Sequence, residues 1–225
     1  MLKQLIAAVA GGLMISIGGC VYLNTDPRWV GAIFFSVALI SICYCGLGLF
    51  TGRVGFVPDN FSGRELCGLS MTLIGNAIGT FLVGSLVCHA IPDTLGASAL
   101  VAVSAKVAAP WYASLLRAVL CGVLMYLAVR IYREKSSPIG IVFCVPAFIL
   151  AGFEHSIADM FYLAASGMRD LSMLWFLLLV IVGNAIGGML LPLITLLTED
   201  PPEATEAAEE TEESEENAVT SEVAE

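Results

Sequence analysis

Phe148-Ile-Leu-Ala-Gly-Phe-Glu-His-Ser-Ile-Ala-Asp159 lies inside a long apolar run, Ile139 to Ser166, and its reading decides the fold. In its middle stand Glu154 and His155, the latter one of only 2 histidines in the chain. Polar groups at bilayer depth are costly, so they are buried in protein or line an aqueous path. Gly152 just before them, and Pro146 upstream, mark a helix that breaks there. A broken membrane helix with polar groups at the break is a common way to build a site for a small solute.

Working outward, the composition excludes an ordinary soluble domain. The 225 residues are 58% hydrophobic and 13% charged, with a mean hydropathy of +0.87, which is the balance of a polytopic membrane protein. The net charge of -10 comes from one end: residues 199–225 hold 12 of the 20 acids and no base. Residues 1–198 read as the transmembrane domain, and 199–225 as an acidic, disordered cytoplasmic tail. The 7 cysteines lie almost all in apolar runs without a CxxC pair. They read as buried free thiols rather than disulfides or metal ligands. The first apolar run follows Lys3 without a small-residue cleavage site, so it is expected to stay as a span.

In chain order the spans fall at about Leu5–Leu23, Trp29–Phe50, Leu66–Ile91, Trp111–Ile131, Ile139–Ser166 and Leu171–Leu197. At about 1.5 Å per residue, a helix of about 20 residues covers the roughly 30 Å hydrocarbon core. The second span ends in Cys45-Gly-Leu-Gly-Leu-Phe-Thr-Gly52, whose glycines predict a second break. Pro92–Pro110 reads as an alanine-rich connection containing Lys106. Six spans put both termini on one side, with Lys3, Arg64, Arg133 and Lys135; Arg28, Lys106 and Arg169 fall opposite. That bias places both termini in the cytoplasm.

The halves repeat each other. Gly75-Asn-Ala-Ile-Gly79 of the third span recurs as Gly183-Asn-Ala-Ile-Gly187 of the sixth. Ala8-Val9…Gly12 of the first matches Ala118-Val119…Gly122 of the fourth. Two motifs in register, with the suspected breaks falling in the second and fifth spans, argue against coincidence. Because three crossings change sides, the pattern is an inverted repeat. The expected fold is therefore all-α: six transmembrane helices in a 3+3 inverted repeat with broken second and fifth helices. Asn76 and Asn184 read as hydrogen-bonding glue between helices.

Gly152-Phe-Glu-His-Ser-Ile-Ala-Asp-Met160 resembles the signature of the formate/nitrite transporter family, usually Gly-Phe-Glu-His-Ser-hydrophobic-Ala-Asn-Met. Cys45–Thr51 is similar to that family's loop motif, and the two Gly-Asn-x-x-Gly elements to its third and sixth helices. The resemblance implies an aquaporin-like fold and a homopentamer with one pore per protomer. It puts Phe35, Leu39 and Leu49 at one constriction and Phe148 at the other. Thr51 then faces the central His155, Lys106 sits in a vestibule, and Gly122 stands where the family has a vestibule asparagine. Gly48 replaces a common loop acid, and Asp159 an asparagine.

The function implied is transport of a small monovalent weak-acid anion across the plasma membrane. Formate and nitrite lead; hydrosulfide, acetate and lactate remain open. Lys106 is expected to make the vestibule electropositive and draw anions in. Apolar rings resist a bare charge, because desolvating an ion costs far more than desolvating a neutral acid. His155 would stabilise the anion or take part in proton transfer, so protons are partners alongside the anion and the lipid bilayer. Glu154 is assigned to structure, capping the broken backbone, and Asp159 to pairing with backbone amides. No enzyme, cofactor, metal or nucleic-acid role is expected. The alternatives are a neutral-solute channel of aquaporin-like architecture, which would want paired Asn-Pro-Ala elements, and a membrane-embedded redox protein, which would want more histidines than 2.

Overall fold

The computed structural model describes residues 1–198, so the acidic tail lies outside the described residues. Among the described residues nine α-helices follow one another: α1 (Leu2–Asn24), α2 (Arg28–Tyr44), α3 (Phe50–Arg53), α4 (Gly63–Ala90), α5 (Ala97–Val107), α6 (Trp111–Lys135), α7 (Ile139–Leu150), α8 (Ser156–Ser166) and α9 (Leu171–Thr198). Met1–Pro192 form one compact unit; a second begins at Leu193, of which residues 193–198 are described. Pro92–Val107, expected as a plain connection, is helical: a wide turn at Pro92–Gly96 runs into α5. Its alanines are strong helix formers, which explains the difference.

α1, α4, α6 and α9 are each long and apolar enough to cross a membrane, while α2 and α7 are shorter apolar helices of 17 and 12 residues. The outward residues of α4, among them Ile74, Ile78, Phe81 and Leu82, are exposed yet as apolar as the inward ones. Such a jacket suits lipid as solvent. Cys45 and Cys67 are exposed rather than buried for the same reason: an apolar thiol gains nothing by hiding from lipid.

Inside the jacket, small residues let helix backbones close on each other, as is usual in membranes. Both copies of the Gly-Asn-Ala-Ile-Gly motif do this in the same way. A Cβ built on Gly75 would lie 2.5 Å from Ala8 Cβ, and one on Gly183 would lie 2.5 Å from Ala118 Cβ. Thus α4 packs on α1, and α9 on α6, through equivalent positions.

α2 stops at Tyr44 and α7 at Leu150, and each stop is built alike. Leu47 N–H donates to Ile42 O at 2.9 Å, and Phe153 N–H to Phe148 O at 2.9 Å. The residue before each donor is a glycine in the left-handed region, Gly46 (φ 64°) and Gly152 (φ 69°). These are Schellman caps, which need a residue without Cβ strain at that position. A short non-helical stretch follows each cap, and the next helix begins at Phe50 or Ser156.

The non-helical stretches leave backbone groups without helical partners, and two asparagines satisfy them. Asn76 Oδ1 accepts from Phe50 N–H at 2.9 Å, and its Nδ2 donates to Gly48 O at 2.8 Å and Ala8 O at 2.7 Å. Asn184 Oδ1 accepts from Ser156 N–H, and its Nδ2 donates to Glu154 O and Ala118 O, all at 2.8 Å. Both asparagines are wholly buried. They do more than join helix to helix: each holds a chain interruption to a neighbouring long helix.

Two outcomes follow. Gly75→Val and Gly183→Val should each destabilise the detergent-solubilised protein by about 1–3 kcal/mol, the usual cost of overpacking. Gly63→Ala should not, since nothing lies within 4 Å of the added Cβ. Asn76→Leu and Asn184→Leu should cost about 3 kcal/mol or more each, because each strands one buried N–H and one carbonyl of the interruption and removes a third bond to a long helix. Thermal midpoints of the purified variants test both; a midpoint for Asn184→Leu equal to that of the unmodified protein would overturn the second.

Candidate functional site

Two cavities approach each other where the interruptions meet. One, of about 270 Å³, is lined by Phe35, Phe148, Lys106, Glu154, His155 and Asp159, with Tyr22 and Arg117 among its further walls. The other, of about 380 Å³, is lined by Leu39, Leu49, Gly52, Arg53, Tyr132 and Arg133 together with neighbouring residues. Thr51 is flanked by Leu49 and Gly52 of the second cavity's wall. Its Oγ1 stands 2.9 Å from Nε2 of His155, which belongs to the first cavity's wall. The expected facing of Thr51 and His155 is therefore met in space by residues 104 positions apart.

His155 is held from several directions. Its Nδ1 accepts from Ala158 N–H at 3.1 Å, so the side chain caps the start of α8. An acceptor at Nδ1 puts the proton of a neutral ring on Nε2, which then donates to Thr51 Oγ1. The ring stacks on Phe148, with centroids 5.6 Å apart and planes at 15°. His155 is 3% exposed and Thr51 is 1% exposed.

The charges around it differ from expectation in three ways. Lys106 is not a free vestibule cation: its ammonium pairs with Glu154 Oε2 and lies 3.0 Å from Asp159 Oδ1. Glu154 does not cap the broken backbone with its side chain. His155 caps, Asn184 takes the Glu154 carbonyl, and the Glu154 carboxylate faces Lys106. Asp159 pairs with Lys106 rather than with backbone amides. The reason is common to all three. Two carboxylates that are each 1% exposed need a counter-charge, and α5 brings one within reach.

Gly122, expected at a vestibule position, packs against another helix instead. A Cβ on it would run into Asn184 O and would come within 2.8 Å of Gly188 N, so it serves the close contact of α6 with α9. Phe35 shares a cavity with Phe148, whereas Leu39 and Leu49 line the other, so the apolar residues divide between the two mouths differently from the expected grouping. Arg53 reaches Thr72 Oγ1 at 3.1 Å and Glu65 at 3.4 Å. Sequence reasoning passed over Arg117. A single charge inside the apolar run of α6 was the signal that could have found it.

Residues 1–198 match the formate/nitrite transporter family. The nitrite transporter NirC of Escherichia coli strain K12 is 28% identical over 195 residues, which cover 78% of this chain and 72% of that protein. The formate channel FocA of the same strain is 29% identical over 184 residues, 71% of this chain and 65% of that one. Among solved structures, an FNT family ion channel superposes with a TM-score of 0.73 at 27% identity, covering 89% of each chain. A pentameric formate channel with formate bound superposes with a TM-score of 0.72 at 20% identity, covering 87% of this chain and 96% of that one. These relatives are channels or transporters, not enzymes. With the match running over every described residue, the chain belongs to the formate/nitrite transporter family.

Proposed function

We propose that the protein carries a small monovalent weak-acid anion, formate or nitrite in kind, across the plasma membrane through a pore in each protomer of a homopentamer. The single observation that carries this reading is the Thr51–His155 pair, 2.9 Å apart at the junction of the two cavities. It is supported by relatives that are a nitrite transporter and formate channels. In this reading α2 with α3, and α7 with α8, are the two halves of broken second and fifth spans. The chain is then a 3+3 inverted repeat with both termini in the cytoplasm. The equivalent caps at Gly46 and Gly152 and the equivalent asparagines favour it.

The mechanism follows from what the walls can and cannot solvate. Leu39, Leu49, Phe35 and Phe148 offer no hydrogen bond to a passing ion, and stripping water from a charge is far costlier than stripping it from a neutral acid. Between them the Thr51 hydroxyl and the His155 ring supply polar partners. An anion that takes up a proton on approach crosses the apolar walls as the neutral acid and releases the proton beyond them. Hydronium on the entry side gives its proton to the anion oxygen while Thr51 and the His155 ring hydrogen-bond the substrate. On the far side that O–H bond breaks and the proton returns to water, so charge and proton move together.

Proteoliposomes containing the full chain should therefore acidify inside when an inward formate gradient is imposed, as read by an enclosed pH dye. His155→Asn keeps an acceptor for Ala158 N–H but removes the titratable ring; it should lower formate flux by roughly a hundredfold, the scale of losing one positioned proton-transfer group. Its assembly, checked by size-exclusion chromatography, should be unchanged. Flux retained in His155→Asn would remove the central role of the ring, and uptake of neutral solutes with no weak-acid anion would defeat the transport reading.

A further inference from the structure

The cavity of Phe148 and His155 holds two cations in its wall, and only one has counter-charges. Lys106 faces both Glu154 and Asp159. Two buried carboxylates against one ammonium leave no surplus positive charge, whichever of them holds a proton. The Lys106 cluster is thus poorly suited to attract an anion. Arg117 lines the same cavity and, among the described residues, makes no hydrogen bond or ion pair.

Its position on α6 adds a second argument. Arg117 lies six residues beyond Trp111, the first residue of the helix, which is about 9 Å along the axis. It is exposed in the single protomer. Four residues further on, and so on the same side of α6, Cys121 is fully buried. A guanidinium facing hydrocarbon at that depth is costly, whereas one turned to a water-filled cavity stays hydrated. Arg117 therefore marks the mouth of the cavity, and the Lys106 cluster its inner wall.

We propose that Arg117 is the anion-recruiting residue of this cavity, a binding position for anions that present two oxygens on one atom. The proposal rests on the transport reading for its substrate class. Formate and nitrite both offer such an oxygen pair, which the planar guanidinium fork matches with two parallel hydrogen bonds. A one-atom anion such as hydrosulfide makes only one. Arg117 thus contributes both capture and a preference for planar two-oxygen anions, while Lys106 neutralises Glu154 and Asp159.

Formate flux into proteoliposomes carrying the full chain, Arg117→Gln or Arg117→Lys tests this as a function of formate concentration and of salt. Arg117→Gln should raise the half-saturating formate concentration roughly tenfold, the lower end of electrostatic focusing, and should flatten the salt dependence. Arg117→Lys should restore the salt dependence but not the preference for formate over hydrosulfide. An Arg117→Gln curve that superposes on that of the unmodified protein overturns the proposal; it is the result expected of an arginine that merely reaches up to the lipid headgroups. Binding of ¹³C-formate to the detergent-solubilised protein, read by NMR line broadening, separates this site from transport. Broadening that depends on Arg117 in a protein without flux would keep the site and remove the transport reading. Equal broadening in Arg117→Gln would remove the site.

Discussion

A chain that interrupts a helix inside a membrane must find partners for the backbone groups it frees, because lipid offers none. Asn76 and Asn184 are the solution here, and the rest of the structure depends on them. Each amide side chain has one acceptor and two donors, and each uses all three on backbone groups. Two of the three bonds go to an interruption and the third to a long helix. Glycines on both sides of each asparagine bring α4 against α1 and α9 against α6 closely enough for those bonds to form.

The placement of Thr51 and His155 is a consequence of the same bonds. Asn184 holds Glu154 O and Ser156 N–H, the groups on each side of His155. Asn76 holds Gly48 O and Phe50 N–H, the groups on each side of Leu49 and one residue from Thr51. The 2.9 Å separation of Thr51 and His155 is thus set by two clamps on different helices, not by the local preference of either loop. Holding the backbone this way leaves the His155 ring free to cap α8 with one nitrogen and meet Thr51 with the other.

Much of this was legible before any coordinates. Gly152 and Pro146 announced the interruption after α7, the repeated Gly-Asn-Ala-Ile-Gly motif announced equivalent helix contacts, and the resemblance placed Thr51 opposite His155. What was not legible depends on distance in space rather than on neighbours in sequence. Lys106, Glu154 and Asp159 are separated by up to 53 positions, and only the return of α5 towards α8 shows that they neutralise one another. Gly122 aligns with a vestibule position by resemblance alone; that another backbone closes on it is a matter of helix packing. Arg117 gained meaning only in space, where among the described residues it has no counter-charge while Lys106 in the same cavity has two.

The two interruptions share a backbone solution but not a chemistry, and the difference is instructive. Aligned by their clamps, Gly48 stands where Glu154 stands, and Leu49 where His155 stands. The clamps read backbone atoms only, so they place no demand on these side chains. One half uses that freedom for an apolar wall. The other buries an acid and a titratable ring, and burying the acid then requires Lys106 from α5. Asp159, a further departure from the family pattern, enlarges the requirement and leaves the Lys106 ammonium fully matched by carboxylates. A uniform scaffold thereby supports two unlike cavities, one with Leu39 and Leu49 in its wall and one with His155, Lys106 and two carboxylates. The cation of this cavity that has no counter-charge among the described residues lies outside the neutralised cluster, where α6 carries Arg117.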